Sequence, residues 1–189
     1  MLIAHLPAGY LLIRRIAPRL AAAPAGVGRL MAVGLAASVF PDIDLVYFYL
    51  IDGRQTLHHD YWTHIPAFWP TAMLAAAGLM WLARVKVPWR EFLIFLAGIF
   101  LHLVLDSATG GIAWGWPASQ HRFLLVEIPA RFDWWVWNFV LHWTFLAELA
   151  ITGWAAHEFS VIGRFWALKQ RMAWRTLVPS STNRPRKNS

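Results

Sequence analysis

The chain has 189 residues, of which 58% are hydrophobic and 14% are charged, and its mean hydropathy is +0.45. This composition is too apolar for an ordinary soluble domain, so we expect an integral membrane protein. The sequence contains no cysteine, which excludes disulfides, thiol nucleophiles and Cys-ligated zinc. Any bound metal must therefore use His nitrogen and carboxylate oxygen atoms.

Five apolar segments have helical length, because an unbroken strand would not stay apolar for so long. The first covers residues 2–16 and lacks the basic start and cleavage site of a signal peptide, so we expect it in the mature protein. The others cover residues 30–51, 65–83, 92–106 and 134–156. The sequence thus predicts an all-α integral membrane bundle of about four to five apolar helices over residues 1–163. A basic cytoplasmic tail follows over residues 164–189 and is expected to be disordered from Pro179 onward.

The basic residues predict the orientation of this bundle. Of the 17 Lys and Arg, all but Arg54, Arg122 and Arg131 lie at the end of the first segment or follow the first, third or fifth segment. These positions are on one side of the membrane if the segments alternate. The positive-inside rule makes that side cytoplasmic, and we expect a bacterial inner membrane protein. The net charge of +7 could point to nucleic acid, but the basic residues form no docking face, so we expect no nucleic-acid partner.

His and Asp residues gather at the opposite, extracytoplasmic side of this bundle. Ionisable side chains are costly at membrane depth and usually mark a functional site, so their accumulation needs a chemical reason. A bound divalent metal is the simplest one, and nitrogen and carboxylate ligands suit one or two ions of zinc or manganese. The predicted ligands are His5, Asp42, His59, His64, His102 and Asp106.

Two of these pairs have informative spacing. His102 and Asp106 are four residues apart, so on a helix they project from one face about 5.4 Å apart and can bind one cation or simply hydrogen-bond to each other. Asp42 and Asp44 would point about 200° apart on a continuous helix, so both can face one site only if Pro41 breaks it. The alternative is that Pro41 begins a helix whose N-terminus the two acids stabilise.

The remaining candidates have weaker local signals. His58, His59 and His64 precede the third apolar segment, where a surface loop with a capping Thr63 or Asp60 is the alternative interpretation. Within this group, His59 and His64 are the better ligand candidates, and His58 is an outer group. His5 supports a site only in combination with the others, because a single His is more often interfacial or buried in a core.

Other residues are assigned roles beyond metal binding. Asp44 and Asp60 are the catalytic candidates, as a general base or as groups that orient a ligand. His121 and Arg122 are adjacent in an outer loop and could bind the anionic head group of a substrate. For Glu148, packing or an interhelical hydrogen bond is the preferred interpretation.

Together these motifs resemble the membrane-bound metal-dependent hydrolase family over residues 1–125. Its middle element usually reads His-Arg-Gly-x-Thr-His-Ser, whereas this chain has Asp60-Tyr61 in place of Arg-Gly and Ile65 in place of Ser. That family is similar in motif style to zinc-dependent phospholipase C, so the resemblance implies a helical fold, a divalent metal, above all zinc, and hydrolase activity. The motifs that carry it are His5-Leu6-Pro7-Ala8-Gly9, Pro41-Asp42-Ile43-Asp44, His59 to His64, His102-Leu103-Val104-Leu105-Asp106 with Thr109 and Gly111, and Gly115-Trp116-Pro117.

The sequence therefore predicts a metal-dependent membrane hydrolase that acts on a phosphoester or lipid at the membrane interface, with membrane lipid as its partner. Two other functions stay open. A transporter would also contain buried Asp and His, although here the acids cluster at one depth instead of along a path. A scaffold or regulator would use the metal only to hold the helices together.

Overall fold

A computed structural model describes the backbone of residues 1–177 and the side chains of residues 1–162. The expected disorder of the tail from Pro179 onward lies outside these residues. The described part contains seven α-helices and no β-strand beyond one isolated bridge between Ile112 and Phe123, which confirms the all-α class. The helices are α1 His5–Leu20, α2 Pro24–Ala37, α3 Asp44–Leu50, α4 Phe68–Leu82, α5 Trp89–Asp106, α6 Trp135–Val140 and α7 Thr144–Leu177.

Helices α1, α2 and α5 form the centre of the bundle. Ile13 and Ala17, in the second half of α1, pack with Leu30 and Ile94, which lie in the first halves of α2 and α5. The helices α2 and α5 are therefore parallel to each other and antiparallel to α1. This direction matches the alternation of segments that the basic residues predict.

The close packing of α2 against α5 requires a glycine. A Cβ atom at Gly98 would lie 2.7 Å from both Ala37 Cβ and the backbone oxygen of Gly34, so any side chain there would force the helices apart. The ends of α2 and α5 are thereby held side by side. The apolar cluster at this end consists of Ala37, Trp69, Ile99, Leu103 and Ile112.

The second predicted segment is interrupted at Pro41. Helix α2 ends at Ala37, a short 3₁₀ helix covers Phe40–Ile43, and Asp44 is the first residue of α3. The two halves of the segment are bent by 54°, because Pro41 lacks the N–H that a continuous helix needs. The bend turns Asp42 and Asp44 toward one region, and Asp44 also lies in the first turn of α3, where negative charge is favourable.

The prediction of one continuous helix over residues 134–156 is wrong. Helix α6 ends at Val140 and α7 begins at Thr144. Between them, His142 Nδ1 lies 2.9 Å from Thr144 Oγ1 and 3.5 Å from its backbone nitrogen, so local side-chain contacts compete with the helical hydrogen bonds. Helix α6 is consequently a separate, aromatic-rich element.

The two ends of the bundle carry different ionisable residues, with Arg–Glu pairs at one end and the His and Asp motifs at the other. Arg29 pairs with Glu91 at the start of α5, and Arg14 of α1 pairs with Glu158 of α7. The His and Asp motifs lie at the other end, where α2 and α5 finish. In the described part of the chain, no helix taken alone is both long and apolar enough to cross a bilayer, whereas the bent pair Pro24–Ala37 and Phe40–Leu50 meets that test together.

Candidate metal centre

Four ligand atoms from three parts of the chain converge at this end of the bundle. His102 Nε2 lies 2.9 Å from Asp106 Oδ2, 3.4 Å from His64 Nε2 and 3.5 Å from Asp42 Oδ1. His64 Nε2 lies 3.5 Å from Asp106 Oδ2 and 3.9 Å from Asp42 Oδ1. Ligand atoms around a tetrahedral zinc ion with bonds of about 2.0–2.1 Å are about 3.3 Å apart. These four atoms, the Asp42/His64/His102/Asp106 cluster, could therefore hold a metal ion.

Both imidazoles of this cluster have their second ring nitrogen fixed. His102 Nδ1 lies 2.9 Å from the backbone oxygen of Ser38, and His64 Nδ1 lies 3.0 Å from Asp44 Oδ2. Carbonyl and carboxylate oxygens can only accept, so each Nδ1 carries the proton and donates it. In the neutral ring each Nε2 then keeps its lone pair directed at the cluster, as in metal-binding histidines generally. Thr63 also donates to Asp44 Oδ2 and supports this arrangement.

His59 approaches from the loop before α4 with the same tautomer. Its Nδ1 donates to the backbone oxygen of Gly110 at 2.7 Å, and its Nε2 lies 3.5 Å from Asp106 Oδ2. A Cβ atom at Gly110 would overlap the His59 ring, so this position requires glycine. His59 also belongs, with His58 and His64, to a second group that is close enough to hold a cation.

Asp106 lies at the centre of these contacts, and its side chain is 2% exposed. The Met1 amino group donates to Oδ1 at 2.7 Å, and His5 Nε2 lies 3.0 Å from the same oxygen. The other oxygen, Oδ2, faces the three Nε2 lone pairs described above, yet it receives no hydrogen bond from the described residues. A buried carboxylate oxygen that faces only acceptors is repelled unless a cation lies between them. The donor set and this orphaned oxygen both fit a metal ion.

His58 lies beside the cluster, between two carboxylates. Its Nε2 is 3.1 Å from Asp42 Oδ1, and its Nδ1 is 3.0 Å from Asp44 Oδ1. Burial disfavours the charged imidazole, but the hydrogen bond to Asp42 and the negative charges of Asp42 and Asp44 outweigh this effect and raise the pKa of His58 to about 9. His58 therefore holds a proton at neutral pH and compensates part of the negative charge.

His5 reaches the cluster without joining the four converging atoms, and its ring stacks on that of His102 with 3.9 Å between centroids. The segment before His5 is anchored by Glu148 of α7, which is 2% exposed. The Oε2 atom of Glu148 accepts hydrogen bonds from the backbone N–H groups of Leu2, Ile3 and Ala4 at 2.7, 2.6 and 3.2 Å. The motifs in the sequence do not reveal this anchoring contact, although a lone acid in an apolar segment indicates a specific partner.

The predicted catalytic and substrate-binding residues lie in different places. Asp44 contacts the cluster through its hydrogen bonds, which favour an orienting role. Asp60 instead pairs with Arg122, and both line a neighbouring cavity of about 270 Å³ to which His59 also contributes. His121 is exposed and does not line that cavity.

A smaller cavity of about 140 Å³ opens directly onto Asp42 and Asp106 of the cluster. Asp42, His58, His59 and Asp106 line its polar side. A small molecule in this cavity would therefore touch the cluster itself.

The comparison with known families gives one result. A family model described as YdjM inner membrane protein matches residues 1–176. The chain belongs to the YdjM inner membrane protein family. This match covers every residue of the cluster and agrees with the expected inner-membrane protein, while its description names no activity. No curated protein and no solved structure matches the chain.

Proposed function

We propose that this member of the YdjM family is a membrane-bound, divalent-metal-dependent hydrolase that acts on a phosphoester or lipid substrate at the membrane interface. The observation that carries the proposal is the orphaned Asp106 Oδ2, which lies within 3.5 Å of three imidazole Nε2 atoms. Their spacing suits a shared cation. They also lie beside a cavity that admits a small group.

The chemistry of the donor atoms favours zinc. Two imidazole nitrogens and two carboxylate oxygens at tetrahedral spacing, without thiol, suit zinc and, second, manganese. When bound, such an ion lowers the pKa of water to about 7 and polarises a substrate oxygen. The second group of histidines would hold a second ion only once His58 has lost its proton. The residues that would hold the first ion are Asp42, His64, His102 and Asp106.

The chain's own acid and base groups complete the proposed site. His58 lines the cavity and holds a proton between Asp42 and Asp44, so its Nε2–H is placed to protonate a leaving-group oxygen. Asp44 keeps the His64 ring in its tautomer. Asp60 would act only on a substrate that reaches the neighbouring cavity, where Arg122 supplies positive charge for a head group.

The membrane setting supports an amphiphilic substrate. Membership of an inner membrane family and the 58% hydrophobic composition bring lipid close to the cluster. By the positive-inside rule, the Arg-rich end of the bundle is cytoplasmic, so the cluster would face the extracytoplasmic side.

Metal analysis of the detergent-purified protein is the first test. We expect wild type to contain about one equivalent or more of zinc, and His102→Ala and Asp106→Ala to lose it. His142→Ala is the matched control, because His142 contacts Thr144 and not the cluster. Hydrolysis of a panel of phosphoesters and lipids by wild type, lost in His102→Ala, is the second test. A wild type without metal, or hydrolysis that survives in His102→Ala, would refute the proposal.

A structural metal site is the second candidate function. It is favoured by the origin of the four ligands, which join the bend after α2, the loop before α4 and the end of α5. In that case chelation would lower the melting temperature of the protein, and no lipid class would be hydrolysed.

A further inference from the structure

The cavity at the cluster has two chemically different sides. Its polar side is formed by the metal-binding and proton-holding groups described above. The facing side is apolar and consists of Leu2, Leu45, Trp135 and Phe139. A ligand that fits both sides must combine a polar end with a hydrocarbon part.

Helix α6 provides much of the apolar side. Trp135 and Phe139 are four residues apart and therefore lie on one face of α6, with 5.8 Å between their ring centroids. The break between Val140 and Thr144 makes α6 a separate helix, and both aromatic rings line the cavity. Trp137 of the same helix does not line it.

Thr109 supplies an unused polar group at the polar side. Its side chain is 9% exposed, and its Oγ1 is buried with no hydrogen-bond partner among the described residues. By contrast, the nearby Ser107 hydroxyl donates to the backbone oxygen of Leu103 at 2.8 Å. A buried hydroxyl without a partner is costly, and Thr109 lines the cavity together with Asp106. This hydroxyl is therefore available to a ligand.

We infer that the Thr109 hydroxyl and the apolar side of the cavity form a binding subsite for an alkyl phosphoester. The hydroxyl donates to an oxygen of the anionic head, and Leu45, Trp135 and Phe139 contact the first carbons of the hydrocarbon chain. This inference rests on the proposed function and specifies its substrate class. A cavity of about 140 Å³ is smaller than the roughly 300 Å³ that encloses a drug-sized ligand, so the remainder of a lipid chain extends outside it.

The test uses stable, water-soluble analogues. Binding of n-alkylphosphonates from methyl to hexyl is measured by calorimetry on the full chain, purified in detergent and loaded with zinc. We expect the dissociation constant of wild type to fall about fourfold for each added methylene until the chain leaves the cavity. Zinc content is determined for every variant, which reports whether the cluster has remained intact.

Two variants separate the contributions of head and chain. Thr109→Val should weaken binding about tenfold at every chain length, because a hydrogen bond to a charged group is lost, and Thr109→Ser should restore it. Phe139→Ala should remove most of the dependence on chain length and weaken methylphosphonate binding least, with Phe139→Leu intermediate. The matched controls are Trp137→Ala and Thr71→Val, because the Thr71 hydroxyl in α4 donates to the backbone oxygen of Ala67 and lies outside the cavity.

The outcomes separate this subsite from the proposed function. Wild-type affinity that is independent of chain length, or Thr109→Val that binds like Thr71→Val, would overturn the subsite. Chain-length-dependent binding without hydrolysis of any phosphoester would support the subsite and contradict the hydrolase. If Thr109→Val and Phe139→Ala both hydrolyse substrate at the wild-type rate and with the wild-type preference for chain length, the hydrolase is supported and the subsite is contradicted.

Discussion

Replacing Asp44 with Asn tests whether the cluster depends on a fixed tautomer of His64. Asp44 Oδ2 accepts from His64 Nδ1 at 3.0 Å and from the Thr63 hydroxyl, and Oδ1 lies 3.0 Å from His58 Nδ1. Asn has one oxygen and one NH₂ group, so one of the two imidazoles would face a donor instead of an acceptor. Part of the His64 population would then protonate Nε2, which removes the lone pair that a metal needs.

The expected loss of zinc affinity follows from the hydrogen bond between Asp44 and His64 that is disturbed. Removing a group that orients a metal-binding His costs about 10- to 100-fold in metal affinity, which is about 1.4–2.7 kcal/mol. Zinc affinity is measured by competition with a chromogenic chelator in detergent. Asp52→Asn is the matched control, because the Asp52 carboxylate accepts hydrogen bonds from Gln55 and Thr56 in its own loop and lies outside the cluster. Equal zinc affinities for Asp44→Asn and Asp52→Asn would refute the reasoning.

Three further changes have defined outcomes. Glu148→Leu leaves three backbone N–H groups without an acceptor, one buried and two partly buried, at about 1 kcal/mol for the buried group, so the melting temperature should fall, whereas Glu158→Gln should stay near wild type; equal melting temperatures would contradict this. Gly110→Ala should displace the His59 imidazole packed against it and weaken zinc binding, whereas Gly78→Ala, where nothing lies within 4 Å, should leave zinc binding unchanged. Equal zinc affinities of the two variants would count against a contribution of His59 to zinc binding. Zinc affinity should rise with pH and level off above about 9, because below its raised pKa the protonated His58 is a positive charge beside Asp42 that weakens zinc binding; an affinity that does not change with pH would exclude this coupling.

Local sequence rules account for much of the candidate site. The four-residue spacing of His102 and Asp106 predicts two side chains on one helical face, and their Nε2 and Oδ2 atoms are 2.9 Å apart. Pro41 predicts the break that brings Asp42 and Asp44 into one region. These inferences depend only on helix geometry and on the missing N–H of proline, which no distant contact changes.

Other parts of the site depend on residues far apart in the chain. Glu148 anchors backbone groups about 145 positions away, and no local pattern marks that contact. The division of the fifth segment into α6 and α7 was also missed, because its composition is equally apolar and helix-compatible on both sides of the break. Long-range packing decides such features, so local propensity gives little information about them.

The amino-acid sequence alone determined the donor chemistry of this protein, since the absence of cysteine leaves imidazole nitrogen and carboxylate oxygen as ligands in a mostly apolar chain. Only the tertiary structure decided which nitrogen of each imidazole carries its proton, because the acceptors are Ser38, Asp44 and Gly110 from other parts of the chain. It also decided that an apolar wall from α6 faces the cluster. Ring orientation and cavity shape are set by the packing of separate helices, which the spacing of residues along one helix does not fix.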